Sequence, residues 1–195
     1  MPKEMIQQYL RHNRGPDSKK FRIIIQAAPF LKGMKKSCIL MIKREELDEL
    51  REELLDTNIE AIPLHEHQGR SIVLFYRASE MEEYFGGYDV RRFLKKNGYQ
   101  GTGIADYIER LKSRVTFFYE EEQIFPHEIG VFLGYPIEDV EGFIENAGKN
   151  FLLSGYWKVY SNLQMTRELF EKFDRAKEEA MQQWSDGKSL QEIAV

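Results

Sequence analysis

The sequence predicts an α+β fold with a small, mostly antiparallel sheet, several inserted helices and a long C-terminal helix. Three observations support this prediction. Short apolar segments typical of strands cluster at residues 37–77, amphipathic segments typical of helices fill residues 78–146, and a helical stripe of apolar residues runs through 162–184. A ferredoxin-like β-α-β-β-α-β core, with helices inserted before its last strand, is one way to satisfy this order of elements.

The N-terminal segment, residues 1–20, is expected to be a basic extension with a short helix at 4–12 and a loop at 13–20. The loop prediction depends on a Gly-Pro-Asp-Ser run, because these residue types favour turns. Residues 21–26 form a short apolar run that leaves strand and helix both open. Ala28-Pro29 is then expected to break any helix, because a residue before proline disfavours helical geometry.

The first predicted strand covers residues 37–43, which are apolar and bounded by lysines. A helix is predicted for residues 44–57, since Leu47, Leu50 and Leu54 share one stripe while charged residues cover the other side. This strand and helix would begin the α+β core.

A β-hairpin follows, with arms at residues 58–66 and 71–77 and a turn at Gln68-Gly69. Pro63 lies inside the first arm and cannot donate a ladder hydrogen bond. The first arm is therefore expected to lie at an edge of the sheet.

Residues 78–146 are predicted to be a helical insertion. Gly134 suits the end of its fourth helix and Pro136 the start of its fifth. One more strand is predicted at 155–160 and the final helix at 162–184, with a last helical turn from Ser189. The five helices of the insertion are predicted at residues 79–85, 89–96, 103–118, 127–133 and 137–146.

Length and composition favour a single domain over residues 1–195, large enough to bury a hydrophobic core without stabilising cross-links such as disulfide bonds. The lone Cys38 cannot form an internal disulfide, which favours a reducing compartment. No signal-peptide pattern follows the start, and no apolar run approaches the ~20 residues of a membrane span. We therefore expect a cytoplasmic protein.

Charge is distributed unevenly along the chain, whose formal net charge is −4. Residues 1–45 contain eleven basic and three acidic residues, whereas residues 119–145 contain eight acids and no lysine or arginine. Such asymmetry can indicate an anion-binding end and a cation-binding end, or two segments that neutralise each other in the fold.

Two motifs of known chemistry are excluded. Residues 33–37 have Met34 where a phosphate-binding P-loop needs lysine, which leaves only a looser anion site at Gly33, Lys35 and Lys36. Residues 129–144 have helix-turn-helix spacing, but the second helix is acidic and would be repelled by phosphates. We therefore expect no nucleic-acid partner.

Histidines supply the remaining candidate chemistry. His65 and His67 would share one face of a strand, but a catalytic zinc needs a third protein ligand, so exposed hairpin histidines are the favoured interpretation. His127 would line a pocket walled by Phe125, Phe132 and Tyr135, as a general acid/base or an axial metal ligand. In the alternative interpretation this corner is only structural, and Glu128 supports a helix start.

Two blocks carry a family resemblance: Phe-Pro-His-Glu-Ile-Gly-Val-Phe-Leu-Gly-Tyr-Pro at 125–136 and Gly-Tyr-Trp-Lys-Val-Tyr at 155–160. From about Ala28 onwards the chain resembles a family of uncharacterised bacterial proteins found mainly in Clostridia and related anaerobes, known as a domain of unknown function. Relatives commonly carry cysteines before the position of Trp157 and in the last helix, and this chain has none there. A cysteine-based metal or redox role is therefore excluded.

The resemblance implies a role in anaerobic iron or tetrapyrrole handling, alongside flavodoxins and iron or haem uptake systems. Haem is the most specific bound molecule that the resemblance implies. His127 would then coordinate its iron, the neighbouring aromatic rings would stack on it, and Lys35 would pair with a propionate or phosphate.

The leading hypothesis is a protein that binds an anionic cofactor or small molecule in a pocket near His127. One alternative is a module that docks a flavodoxin or a transport protein and has no ligand of its own. Another is an acid/base enzyme that uses His127 with Glu128. The candidate ligand-binding residues are Gly33, Lys35, Phe125, His127, Glu128, Phe132, Tyr135, Trp157 and Lys158.

Overall fold

The computed structural model describes residues 16–101, 103–121 and 124–194. Helices and short strands alternate along this part of the chain. In chain order the elements are α1 (Pro16–Leu31), β1 (Ser37–Lys43), α2 (Arg44–Glu53), β2 (Ile59–His67), β3 (Arg70–Arg77), α3 (Ala78–Gly86), α4 (Tyr88–Lys96), α5 (Ile104–Glu121), α6 (Ile129–Phe132), α7 (Ile137–Glu145), β4 (Leu153–Ser154), β5 (Lys158–Val159), α8 (Leu163–Ser185) and α9 (Leu190–Ile193).

The described residues divide into two compact units. One contains residues 16–35 and 165–194, and the other contains residues 36–164 apart from the gaps at 102 and 122–123. The predicted α+β class with a small antiparallel sheet and a long C-terminal helix is confirmed. In the described ranges, every helix is too short or too polar to span a lipid bilayer.

The sheet of the second unit has the strand order β1-β3-β2, and both neighbouring pairs are antiparallel. The hairpin turn at Gln68 and Gly69 has φ of 49° and 71°, the left-handed geometry that a two-residue hairpin turn needs. The register of β2 shifts between Pro63 and His65, a bulge on an edge strand. The structure thus places Pro63 at the sheet edge, as its missing N–H predicts.

The core of the second unit lies between this sheet and the helices of residues 78–145. Its members share almost complete burial and come from both layers. Each such side chain contributes about 1.5–3 kcal/mol by leaving water. The cluster includes Leu64, Leu74, Met81, Phe85, Phe93, Leu94, Leu111, Val115, Val131 and Phe132. The core therefore fixes α6, the short helix that follows His127, against the body of the unit.

The first unit is helical in its described part. Phe21, Ile24 and Phe30 of α1 are buried, as are Phe170 and Phe173 of α8. The short α9 begins with a capping box, in which the Ser189 amide donates to the Glu192 carboxylate and the Glu192 amide donates to the Ser189 hydroxyl. The capping box fixes the start of α9, and the Leu190 and Ile193 side chains of this helix are buried.

Two predictions for the N-terminal part are wrong. Helix α1 begins at Pro16, inside the predicted loop, and continues through Pro29 to Leu31. The ring of Pro29 removes only one backbone donor near the helix end, and burial of the flanking Ala28 and Phe30 compensates for it. The helix ends instead at Leu31, two residues before Gly33, whose φ is +65°, and the Met34 amide donates to the Pro29 carbonyl. The helix predicted for residues 4–12 lies outside the described residues.

The strand predicted for residues 155–160 is also wrong as a continuous element. Residues 155–157 form a turn, closed by the Gly155 amide donating to the Trp157 carbonyl over 3.0 Å, and this turn joins the two-residue strands β4 and β5. This ribbon is separate from the three-stranded sheet. The first three strands of a ferredoxin-like core are therefore present, whereas the expected fourth strand does not join them in the described part of the chain.

Candidate functional site

The second unit has a cleft of about 310 Å³ that is partly open to solvent. Five of the nine candidate ligand-binding residues predicted from the sequence line it. The cleft lies where the loop before α6, helices α6 and α7 and the β4–β5 turn meet. Its lining residues are Phe125, His127, Ile129, Gly130, Tyr135, Asp139, Val140, Phe143, Ser154, Gly155, Trp157 and Lys158. The cleft is mainly apolar, with a few polar groups that converge on it, as in many small-molecule sites.

Local turn chemistry brings His127 and Tyr135 to the same cleft. The Ile129 amide donates to the Pro126 carbonyl, which folds the chain around His127, and Gly134 ends α6 with a φ of +71°. Gly130 lets α6 and α7 approach closely, since a Cβ there would lie 2.8 Å from Cγ2 of Val140. The glycines of the motif therefore shape the corner that holds the cleft.

Aromatic rings form two groups in the cleft wall. The His127 ring lies 5.6 Å from the Phe125 ring and 4.9 Å from the Phe143 ring, centroid to centroid, in tilted geometry. The Tyr135 and Trp157 rings are stacked, with centroids 4.7 Å apart and planes 25° apart. Such ring pairs hold each other in place beyond the effect of burial alone.

Asp139 anchors the Trp157 wall. Its Oδ2 accepts the indole N–H of Trp157 over 2.7 Å, while its Oδ1 accepts the backbone N–H groups of Tyr160 and Ser161, each over 2.8 Å, and the Ser161 hydroxyl over 3.0 Å. A carboxylate with these four donors is fully engaged inside the protein. Asp139 therefore positions the site, and sequence reasoning missed it because it stands in an acidic run that is typical of a solvated helix face.

Lys158 brings a cation to the cleft. Its ammonium group donates to the Gly148 carbonyl over 2.6 Å and lies 5.5 Å and 5.0 Å from the ring centroids of Phe143 and Phe151. Within the described ranges, Lys158 forms no ion pair with a carboxylate. An ammonium has three donors, so two remain for a bound molecule.

We expect the pKa of His127, measured by NMR titration of its ring protons, to lie below the ordinary value of about 6.5. Burial lowers this pKa by penalising the imidazolium form, and the neighbouring Glu128 carboxylate opposes the shift more weakly. The imidazole is therefore neutral at pH 7 and can either donate or accept a hydrogen bond.

The same shift makes stability depend on pH. Because the unfolded chain binds the proton more readily, the free energy of unfolding falls as the pH drops below about 6.5, and the loss is complete below the folded-state pKa. Replacing His127 by phenylalanine should flatten this part of the profile. A measured pKa at or above 6.5 would contradict the assignment.

The structure does not bring all nine sequence-predicted residues together. Five of them line the cleft: Phe125, His127, Tyr135, Trp157 and Lys158. The other four, Glu128, Phe132, Gly33 and Lys35, are not among the residues that line it.

Glu128 and Phe132 do not line the cleft. The Glu128 carboxylate accepts the Arg114 Nε–H over 2.5 Å and the Tyr99 hydroxyl over 3.2 Å. Phe132 is fully buried, with its ring 5.1 Å from the Phe85 ring. Both side chains are buried in the interior of the second unit and are not among the residues that line the cleft.

Gly33 and Lys35 belong to the first unit, whereas the cleft belongs to the second. Gly33 has a structural role, because its positive φ ends α1.

The hairpin histidines show no metal-binding arrangement. The His65 ring stacks on the Tyr119 ring, with centroids 4.8 Å apart and planes 7° apart, while His67 is exposed. Among the residues that the structure describes, no three His, Cys, Asp or Glu side chains are grouped so that they could hold a metal ion.

A family model described as "Protein of unknown function (DUF3793)" matches residues 23–194. A search of curated proteins and a search of solved structures gave no match.

Proposed function

The chain belongs to the DUF3793 family, and from that premise and the geometry of the cleft we propose that it binds a small organic anion. One observation carries this proposal. In a cleft walled by aromatic rings, the Lys158 ammonium has hydrogen-bonding capacity left over and no carboxylate partner in the described part of the chain.

Electrostatics favour an anion at this position. Coulombic attraction is stronger in a partly desolvated cleft than in water, so an anionic group beside Lys158 gains more there than at an open surface. The Asp139 carboxylate is fully engaged by its four donors and so does not reach Lys158 as an ion-pair partner. The neutral His127 imidazole offers a further hydrogen bond to the bound molecule.

The cleft volume favours a compact ligand. A volume of about 310 Å³ is at the lower end of the roughly 300–1,000 Å³ of small-molecule pockets. A tetrapyrrole is a large, rigid macrocycle that this volume would not enclose. The proposed ligand is therefore smaller than the haem that the family resemblance implied.

The two other hypotheses from the sequence have less support. An acid/base enzyme would need His127 and Glu128 to act together, but the Glu128 carboxylate accepts hydrogen bonds from Arg114 and Tyr99 in the interior. Docking of a flavodoxin or a transport protein has no feature in the described residues that is as well defined as the cleft.

The proposal predicts a loss of binding when Lys158 is replaced by methionine. Isothermal titration calorimetry with benzoate and with its neutral analogue benzamide compares a charged and an uncharged ligand of the same shape. A charge-assisted hydrogen bond contributes about 1.5–3 kcal/mol, so we expect benzoate to bind roughly tenfold or more tightly than benzamide, and Lys158→Met to abolish most of this difference.

Lys149→Met is the matched control, since Lys149 is an exposed lysine of the preceding loop that does not line the cleft. It should change the affinity for benzoate less than about twofold, the scale of a screened surface charge. Equal binding of benzoate and benzamide, or full binding by the Lys158 variant, would refute the proposal. Haemin is the third probe, and a His127-dependent Soret shift would restore the tetrapyrrole hypothesis.

A further inference from the structure

We infer that the ligand of this cleft is a flat aromatic or conjugated monocarboxylate, whose ring packs among His127, Phe143 and Trp157 while its carboxylate meets Lys158. This inference rests on the proposed function and names the chemical class of its ligand. It is carried by the arrangement of rings and charges in the lining of the cleft.

Ring contacts favour a flat ligand over an aliphatic one. Five of the lining residues are aromatic: Phe125, His127, Tyr135, Phe143 and Trp157. Aromatic pairs prefer offset-stacked or edge-to-face geometry and gain attraction beyond burial. The Phe125 and Phe143 rings are tilted by 53° and 58° to the His127 ring, so the rings of this wall do not lie in one plane.

The charge balance favours a monoanion over a dianion. Lys158 is the cation among the twelve lining residues, and Asp139 is the acid. Although four donors engage Asp139, its negative charge remains in the wall and disfavours a second negative charge on the ligand. A carboxylate fits this balance better than a phosphate monoester, which carries up to two charges at neutral pH.

The scarcity of polar groups excludes a ligand that is polar along its whole length. Apart from Lys158, His127 and the hydrogen-bonded pair of Asp139 and the Trp157 indole, the polar side chains of the lining are the Ser154 hydroxyl and the Tyr135 phenol. The phenol donates to the Tyr156 carbonyl over 3.4 Å. A sugar or a nucleotide would lose hydrogen bonds to water without replacing them, at a cost for each unpaired group.

Three acids of similar size test the class: benzoate, cyclohexanecarboxylate and phenyl phosphate, each titrated into the full chain and followed by calorimetry. Cyclohexanecarboxylate keeps the charge and size of benzoate but lacks the flat ring. We expect benzoate to bind about tenfold more tightly than cyclohexanecarboxylate, since one or more ring pairs are lost. Phenyl phosphate should bind at least as weakly as cyclohexanecarboxylate.

Phe143→Leu identifies the ring contact, because leucine keeps an apolar side chain and removes the ring. In this variant the ratio of the affinities for benzoate and cyclohexanecarboxylate should fall to about threefold or less, as expected for the loss of one ring pair. Urea unfolding of the variant checks that the fold is retained, and Trp157→Leu repeats the test on the ring pair of Tyr135 and Trp157.

The outcomes separate the two proposals. If benzoate and cyclohexanecarboxylate bind equally and both depend on Lys158, the aromatic class is refuted and the anion-binding function stands. If phenyl phosphate binds best, the monocarboxylate assignment is refuted. If none of the three acids binds when it is present at roughly 10 mM, its binding free energy is weaker than about 3 kcal/mol, and both proposals fail.

Discussion

Replacing Arg114 by methionine is expected to lower the free energy of unfolding by about 3 kcal/mol, because it leaves the buried Glu128 carboxylate without its counter-ion. The Glu128 side chain is 3% exposed and that of Arg114 is 36% exposed, and their atoms Oε1 and Nε lie 2.5 Å apart. The hydroxyl of Tyr99 is the other donor to this carboxylate. Urea denaturation followed by circular dichroism measures the change.

A double variant separates charge from packing. Adding Glu128→Gln to Arg114→Met removes the buried charge, so we expect at least half of the lost stability to return. Lys112→Met is the matched control, because Lys112 is an exposed cation of the same helix, and its effect should stay within about 0.5 kcal/mol. A loss below about 1 kcal/mol for Arg114→Met would contradict the role of Arg114 as the counter-ion of the buried Glu128 carboxylate.

Replacing Asp139 by alanine is expected to cost about 3–4 kcal/mol of unfolding free energy, because several donors lose their acceptor at once. Asp139 is 2% exposed and accepts four hydrogen bonds from Trp157, Tyr160 and Ser161. The same change releases the Trp157 ring from the cleft wall. Benzoate binding should therefore weaken even under conditions where the variant remains folded.

A mutant cycle isolates the contact with the indole. Trp157→Phe removes the N–H donor and keeps an aromatic ring, so the double variant with Asp139→Ala should cost less than the sum of the single changes. Glu145→Ala is the matched control on α7, since Glu145 is exposed at its end. Strictly additive effects of the two single changes would contradict the role of Asp139 as the anchor of Trp157.

The sequence was sufficient where structure depends on local chemistry. The apolar run at residues 37–43 is a strand, and Gln68-Gly69 adopts the turn that fixes the hairpin register. Gly134 ends one helix and Pro136 precedes the next, because a positive φ and a fixed φ are properties of single residues. The motif around His127 was likewise recognised from neighbouring residues in the sequence.

Local rules failed where burial outweighed them. Proline at 29 favours a helix break, yet α1 continues past it because its apolar side chains are buried. The segment 155–160 has the composition of a strand, but Asp139 binds the indole of Trp157 and the amide of Tyr160, which holds the segment as a turn and a short ribbon. The partner responsible is about twenty residues away, beyond the reach of a local pattern.

The sequence by itself determined the α+β class, the antiparallel hairpin and the run of helices over residues 78–145, since periodicity and turn residues encode these. Tertiary structure alone decided which predicted residues share a cleft. It placed Glu128 against Arg114 and Asp139 against Trp157, and it brought Lys158 to the aromatic wall. These assignments depend on pairs distant in sequence, whose hydrogen bonds and charges form only when burial makes an unpaired group costly.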